Sequence, residues 1–318
     1  MFNAIECTVN WGFLGAGGIA RTSLAPAVHS APNACLHAVA ARDRDRAELL
    51  RPHHIRTNYD ALVEDPDVEV VYVALHNSSH LTWTLRALDA GKHVVCEKPL
   101  GLHADEVEQM ITAARAADRL LVEACWNRWH PRNRVLERVL ENNELGEVRS
   151  ACASFLGILP PVGGYRDDPA LGGGALYDVG CYAIAAVLLA FDWQQPTSVT
   201  ACSRLTPTGA DALTTAELTF PGGTATIRAG LTGELTEQFV VRGENATVGL
   251  EQPAFTAGAA PCCLLTPSGR IEFPAINPYA VMVEQVSAAV RGEDAYLVSP
   301  DQSLAVARVL DSIRTAAA

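Results

Sequence analysis

Thr8-Val9-Asn10-Trp11-Gly12-Phe13-Leu14 reads as an apolar strand, and Gly15-Ala16-Gly17-Gly18-Ile19-Ala20 follows it directly, opening a helix-like stretch to Ser30. This is G-x-G-x-x-A between a strand and a helix. Gly15 permits a tight turn, Gly17 lets backbone approach a pyrophosphate, and Ala20 lets helix and strand pack closely. The helix N-terminus then faces the negative phosphates. The plain alternative is an ordinary glycine-rich turn, and the strand–turn–helix setting argues against it.

Outward from this stretch, strand and helix patterns keep alternating. Cys35 to Ala41, Glu69 to Leu75, His93 to Cys96 and Leu120 to Glu123 read as strands. Asp43 to Leu50, Leu81 to Ala90 and Asp105 to Ala117 read as helices, with Gly91 as a stop signal. Apolar strands alternating with helices argue a parallel sheet covered on both faces. Beyond Trp126 the pattern changes. Pro131 opens a helix to about Glu141, and Val148 to Leu156 is a long strand. A Gly/Pro-rich stretch from Pro160 to Gly174 leads to a helix at Ala175 to Ala190. Val199 to Leu205, Ala212 to Phe220, Thr224 to Leu231, Gln238 to Val241 and Thr247 to Leu250 read as an antiparallel sheet. Helices near Tyr279 to Arg291 and Asp301 to Thr315 close the chain. The expected fold is α/β. Residues 1–125 form a Rossmann doubly wound parallel sheet that binds a dinucleotide. Residues 126–318 form a second, α+β domain with a large, mainly antiparallel sheet.

Composition narrows the partners. A net charge of −12 over 318 residues disfavours a phosphate-backbone binder, so no nucleic acid is expected. The longest apolar run, Ala183 to Phe191, falls short of the roughly 20 residues a membrane span needs. Met1 to Glu6 carries no export signal, and nine cysteines without a C-x-x-C pair read as reduced thiols, so a cytoplasmic protein is expected. His76-x-x-x-His80 has a helical ligand spacing but lacks the H-E-x-x-H glutamate, so no metal is expected.

Of 24 basic residues only Lys92 and Lys98 are lysine. Codon bias toward Arg explains the shortage. Lysine, unlike arginine, can give up its proton in a suitable site. Lys92 follows the Gly91 helix stop and reads as solvated surface. Lys98, in Cys96-Glu97-Lys98-Pro99, ends a strand, where ligands of a doubly wound sheet bind. The peptide bond before Pro99 is a candidate for cis. A second element is Leu171-Gly172-Gly173-Gly174-Ala175-Leu176-Tyr177-Asp178-Val179-Gly180-Cys181-Tyr182. Its glycines read as room for a ligand, and Asp178 and Tyr182 share a helix face at i, i+4. With Lys98 they make a proton-transfer set. The plainer reading is a capping Asp and a half-buried Tyr. At the end of the second strand, Arg42 stands where an acidic residue would select NAD, and guanidinium suits a 2′-phosphate. NADP is therefore favoured, with Asp43 next door leaving NAD open.

These residues together resemble the glucose-fructose oxidoreductase/inositol dehydrogenase (Gfo/Idh/MocA) family. The resemblance rests on Trp11-Gly12 with Gly15 to Ala20, Glu97-Lys98-Pro99, Arg166 with Asp168-Pro169, Gly172 to Tyr182, and Asn277-Pro278-Tyr279. Ala40-Ala41-Arg42-Asp43, Glu123-Ala124-Cys125-Trp126-Asn127-Arg128 and Tyr182 are similar to its dimeric dihydrodiol dehydrogenase and NADP-dependent xylose dehydrogenase branch. The resemblance implies hydride transfer between nicotinamide and a carbinol or carbonyl carbon of a sugar, cyclitol or diol. Lys98 and Tyr182 would be the proton-transfer pair, with Asp178 orienting them. Gly15, Gly17, Gly18, Ile19, Ala20, Arg42, Asn77, His80, Glu97 and Lys98 would face the cofactor, His80 through loop packing. Trp126, Arg128, Phe155 and Arg166 would join Asp178 and Tyr182 around the substrate. The open sheet face would form a homodimer or homotetramer. Leu75-His76-Asn77 departs from the family's usual Thr-Pro-Asn. The alternatives are a non-catalytic dinucleotide-binding regulator of the same fold, or a C=N or C=C reductase.

Overall fold

The computed structural model describes residues 8–157 and 164–318. The Met1 to Glu6 segment read for export, and residues 160–163 of the Gly/Pro-rich stretch, lie outside the described residues. The chain divides into two compact units.

Among the described residues, β1 (Val9–Leu14), β2 (Ala34–Ala40), β3 (His54–Arg56), β4 (Val70–Val73), β5 (His93–Cys96) and β6 (Leu121–Glu123) form a parallel sheet in the order β3-β2-β1-β4-β5-β6. Between the strands run α1 (Ala25–Ser30), α2 (Arg44–Glu48), α3 (Tyr59–Val63), α4 (His80–Asp89) and α5 (Ala104–Ala117). A π-turn at Ala20–Leu24 leads into α1. Asp43 and Asn58 cap α2 and α3 by accepting from the N–H of Arg46 and Ala61. Strand order reverses between β1 and β4, so the carboxyl ends of these strands flank the crevice where open α/β sheets bind ligands. The edge strand β3 was not foreseen: His53-His54-Ile55-Arg56 has neither an apolar run nor clean alternation.

The other unit holds α6 (Pro131–Glu141), β7 (Val148–Leu156), α7 (Cys181–Ala190) and the run β8 (Ser198–Leu205), β9 (Asp211–Phe220), β10 (Gly223–Gly230), β11 (Thr236–Gly243), β12 (Thr247–Leu250), β13 (Cys262–Thr266) and β14 (Gly269–Phe273). Together β7 to β14 make an eight-stranded sheet in the order β14-β13-β12-β11-β7-β10-β9-β8. The sheet is mainly antiparallel, as expected, with one parallel ladder. β10 runs parallel to β7, because α7 and the β8–β9 hairpin supply the long crossover that a parallel pair needs. Buried Ala212, Thr214, Ala216 and Leu218 alternate with more exposed residues along β9, as expected for a sheet with one covered face. The stretch Pro169–Ala190 is long and apolar enough to cross a membrane by composition, yet 89% of its apolar window is buried inside the protein. Its apolarity is that of a core helix.

Two helices follow the sheet, α8 (Pro278–Val290) and α9 (Pro300–Ala317). The expected division made one cut after residue 125. The compact units instead place Asn277–Pro300 with the parallel sheet and Asp301–Ala318 with the large one. Met282, Val283 and Val286 of α8 are fully buried in the same core as Trp11 and Phe13. The Trp11 indole N–H donates to Ser287 Oγ at 3.1 Å, which satisfies a buried polar group at the strand–helix contact.

Lys92 overturns its solvated reading. It is 8% exposed, and its ammonium donates to the carbonyls of Asp65 at 2.6 Å and Val68 at 2.8 Å. Gly91 takes a left-handed φ of +73° and ends α4, so the chain turns inward and the lysine stem follows it. Burial pulls its pKa down, and Asp65, Asp67 and Glu69 oppose that pull. The two lysines therefore bracket β5, Lys92 holding the start of the strand and Lys98 leaving its carboxyl end.

Candidate functional site

In the unit with the parallel sheet, the strand ends step out side by side. Gly15 N–H donates to Ala40 O, Ala74 N–H to Leu14 O, Glu97 N–H to Val73 O, and Ala124 N–H to Cys96 O. Gly15 has φ +100°, and a Cβ there would lie 2.5 Å from the Ala74 carbonyl oxygen, so the turn demands glycine. A Cβ on Gly17 or Gly18 would meet no protein atom within 4 Å. The mouth of the helix is thus clear of the protein's own side chains, and its N–H groups suit a pyrophosphate. Ala20 is fully buried, as close helix–strand packing requires, and Ile19 is partly exposed. Arg42 is exposed. The Asp43 carboxylate accepts from Arg46 N–H at 3.2 Å and so serves as a helix cap.

The turn that carries Lys98 is held on three sides. Tyr72 Oη donates to Glu97 Oε1, His80 Nδ1 lies 2.9 Å from Pro99 O, and Leu100 N–H donates to Glu123 Oε1 at 2.9 Å. The Lys98–Pro99 bond is cis. Burial first, then Glu97, pushes the Tyr72 phenol well above its usual pKa, which keeps it a donor. His80 packs the loop beside this turn, the role expected for it. It is fully buried, with Nε2 3.3 Å from Leu75 O, so both ring nitrogens face backbone. The same geometry puts the His76-x-x-x-His80 spacing to use in the loop, where His76 Nδ1 also lies 3.0 Å from Ser78 Oγ. Asn77 is buried in the turn Asn77–Ser79. Trp126 is half-buried and stacks on Tyr279 at 4.7 Å and 19°. Arg128 is buried and donates to Tyr296 Oη at 3.2 Å.

In the unit with the large sheet, a π-turn at Leu176–Gly180 leads into α7. Asp178 and Tyr182 are both buried. Asp178 Oδ2 accepts from Arg166 Nε at 2.7 Å. Burial disfavours the Arg166 cation, but Asp178 outweighs it and holds the pKa above the usual value. Space beside three of the glycines here is filled by the protein's own atoms. A Cβ on Gly173 would strike the Tyr165 and Arg166 carbonyls at 2.5 and 2.6 Å, and one on Gly174 would meet Asp211 Oδ1 at 2.0 Å. One on Gly180 would press Leu176 and Ala229 at 2.9 and 3.3 Å. They let this segment pack on its own neighbours, while Asp211 accepts from Leu176 N–H at 2.9 Å. Phe155 is buried, stacked on Phe255 at 5.6 Å and tilted 5.7 Å from Tyr182. Sequence reasoning missed Phe255, Glu123 and Tyr72. Glu123 carried a weak signal, as a carboxylate ending an apolar strand.

Two buried histidines make folding sensitive to acid. His80 and His130 have pKa values lowered to about 4. Burial is the main cause for each; the Pro99 and Leu75 carbonyls oppose it at His80, and Arg132 adds to it at His130. His130 Nδ1 also accepts from Arg132 N–H, an acceptor that protonation removes. The unfolded chain takes up these protons near the ordinary 6.5. The stability they carry is therefore full above pH 6.5 and is lost as pH falls through about 4. The expected loss is about 3 kcal/mol per histidine across that window. Urea unfolding at successive pH values checks this. The slope should shrink in His80→Asn, and an unchanged slope contradicts the assignment.

Comparison with known proteins gives a consistent picture. Residues 9–124 match the model described as an oxidoreductase family with an NAD-binding Rossmann fold, and residues 133–249 match the GFO/IDH/MocA C-terminal domain. The chain is 33% identical to an uncharacterized oxidoreductase of Rhizobium meliloti, over 97% of both chains. It is 34% identical to a trans-1,2-dihydrobenzene-1,2-diol dehydrogenase of Danio rerio, over 85% of this chain and 81% of that one. Among solved structures, a 3-ketoreductase from Actinomadura kijaniata, bound to NADP and TDP-benzene, superposes with a TM-score of 0.86 at 30% identity, covering 98% of each chain.

Proposed function

The chain belongs to the Gfo/Idh/MocA family of NAD(P)-binding oxidoreductases, and from that membership we propose an NADP-preferring enzyme that interconverts a carbinol and a carbonyl carbon of a sugar, cyclitol or related diol. The observation that carries the reading is the Gly15–Ala20 turn, strained where glycine is demanded and clear where phosphates would lie. The dinucleotide, when bound, supplies the hydride acceptor or donor. Oxidation of a carbinol then needs one base for the hydroxyl proton as hydride leaves carbon, and reduction needs the same group as acid. We assign that role to Tyr182, with Lys98 as its cationic partner in proton transfer. Asp178 holds Arg166 in place through its 2.7 Å hydrogen bond. Trp126, held flat by Tyr279, offers an aromatic face to a ring substrate. The relatives' names support the reaction class, since a dihydrodiol dehydrogenase and a 3-ketoreductase both act at carbinol or carbonyl carbons.

NADP preference is supported by the division of labour between neighbours: the Asp43 carboxylate is committed to capping α2, and the exposed Arg42 guanidinium suits a 2′-phosphate. Arg42→Ala should weaken NADPH binding about tenfold and leave NADH within about twofold, measured by nicotinamide fluorescence. Equal loss for both cofactors overturns the preference. The activity itself is tested by NADPH-linked turnover on a panel of aldoses, ketosugars, cyclitols and cyclic diols. Dinucleotide binding with no turnover on any of them contradicts the proposed reaction.

A further inference from the structure

Glu237 and Arg132 are charged, 2% and 1% exposed, and have no part in the chemistry described above. Both act on one segment. Arg132 donates through Nη1 to the carbonyls of Glu251 at 3.3 Å and Cys263 at 3.4 Å, and through Nη2 to those of Pro253 at 2.9 Å and Ala254 at 2.8 Å. Glu237 Oε2 accepts from the N–H of Phe255 at 2.5 Å and of Thr256 at 2.8 Å, and Oε1 accepts from the Thr256 hydroxyl. A cation thus takes the carbonyls of Glu251, Pro253 and Ala254, with that of Cys263 on the neighbouring strand, and an anion takes the N–H groups of Phe255 and Thr256. Phe255 sits at the junction, so the direction in which its ring leaves the backbone is set from both sides. That ring is buried, stacks on Phe155 at 5.6 Å and 22°, and lies 6.4 Å from the Tyr182 ring. Taking two charges out of water is costly before their hydrogen bonds are counted. A connection between two strands does not require that. A phenol whose orientation governs proton transfer does, because small displacements of a reacting group cost rate steeply.

We propose that Glu237, assisted by Arg132, is a positioning residue for the reaction: it fixes the backbone of residues 251–256 so that Phe255, with Phe155, holds the Tyr182 ring in one orientation. The proposal rests on the reading of Tyr182 as the acid/base. Its test compares Glu237→Gln, Thr256→Val and Phe255→Leu with Tyr182→Phe in the full chain. The readouts are kcat and KM on the best substrate of the panel, NADPH affinity, thermal unfolding, and titration of the Tyr182 phenol. The titration is read as a near-ultraviolet difference spectrum against the matching Tyr182→Phe protein, so it needs no substrate. Glu237→Gln and Phe255→Leu should each lower kcat about tenfold with NADPH affinity within about twofold, and move the phenol titration by about half a pH unit or more. Thr256→Val, which removes one hydrogen bond, should show a smaller change in the same direction, and it stands in if Glu237→Gln does not fold. Loss of turnover in Tyr182→Phe, with wild-type kcat and titration in folded Glu237 and Phe255 variants, overturns this proposal alone. Wild-type turnover in Tyr182→Phe overturns the acid/base reading and this proposal with it.

Discussion

Lys98→Met and Tyr182→Phe should each lower turnover about a thousandfold while NADPH binding and fold survive. The expectation of survival is structural. Met keeps the volume of the lysine stem, and the turn around it is held by Tyr72 on Glu97, His80 on the Pro99 carbonyl and Glu123 on the Leu100 N–H. None of these contacts uses the Lys98 ammonium. Phe in place of Tyr182 removes one oxygen and leaves the ring contacts with Phe155 and Phe255. General acid–base groups contribute about a hundred- to ten-thousandfold, so a loss of this size marks proton transfer and not packing. NADPH absorbance gives turnover, nicotinamide fluorescence gives affinity, and thermal unfolding controls for the fold. Near-normal turnover by both variants would falsify the assignment.

The second large effect separates two glycines of one turn. Gly15→Ala forces a Cβ to within 2.5 Å of the Ala74 carbonyl at φ +100°. It should cost about 3 kcal/mol of stability and weaken NADPH binding by about a hundredfold. Gly17→Ala meets no protein atom within 4 Å, so stability should stay within about 0.5 kcal/mol. Its methyl group nonetheless intrudes where the pyrophosphate approaches, and NADPH affinity should fall by about tenfold. Urea unfolding and fluorescence titration read both. If Gly17→Ala binds NADPH as tightly as wild type, phosphates do not lie against that turn.

The contrast between these glycines and those near Tyr182 shows where reading from sequence stops. Gly15 and Gly17 were legible because their roles depend on chain neighbours: a strand before, a helix after, and a turn between. Gly173, Gly174 and Gly180 look alike in the sequence, but their use is decided by Tyr165, Arg166, Asp211 and Ala229, some of them dozens of positions away. Lys92 was misread for the same reason. A lysine after a helix stop is usually solvated, and nothing local announces that the Asp65 and Val68 carbonyls lie within its reach. Arg128 belongs to a local motif, and Tyr296, to which it donates, lies 168 residues further on.

Local physics accounts for the alternation of strands and helices, the caps at Asp43 and Asn58, the tight turn at Gly15 and the exit of Lys98 from the end of β5. These follow from backbone freedom, side-chain period and hydrogen bonds between near neighbours, so they are written in short windows of the chain. Tertiary contact decided the return of α8 to the core beneath Trp11, the parallel pairing of β7 with β10, and the burial of Lys92. It also decided the grip of Glu237 and Arg132 on the segment that carries Phe255. Each of these joins groups far apart in the chain through burial and hydrogen bonding, whose strength depends on position in space. Order along the sequence does not encode that position.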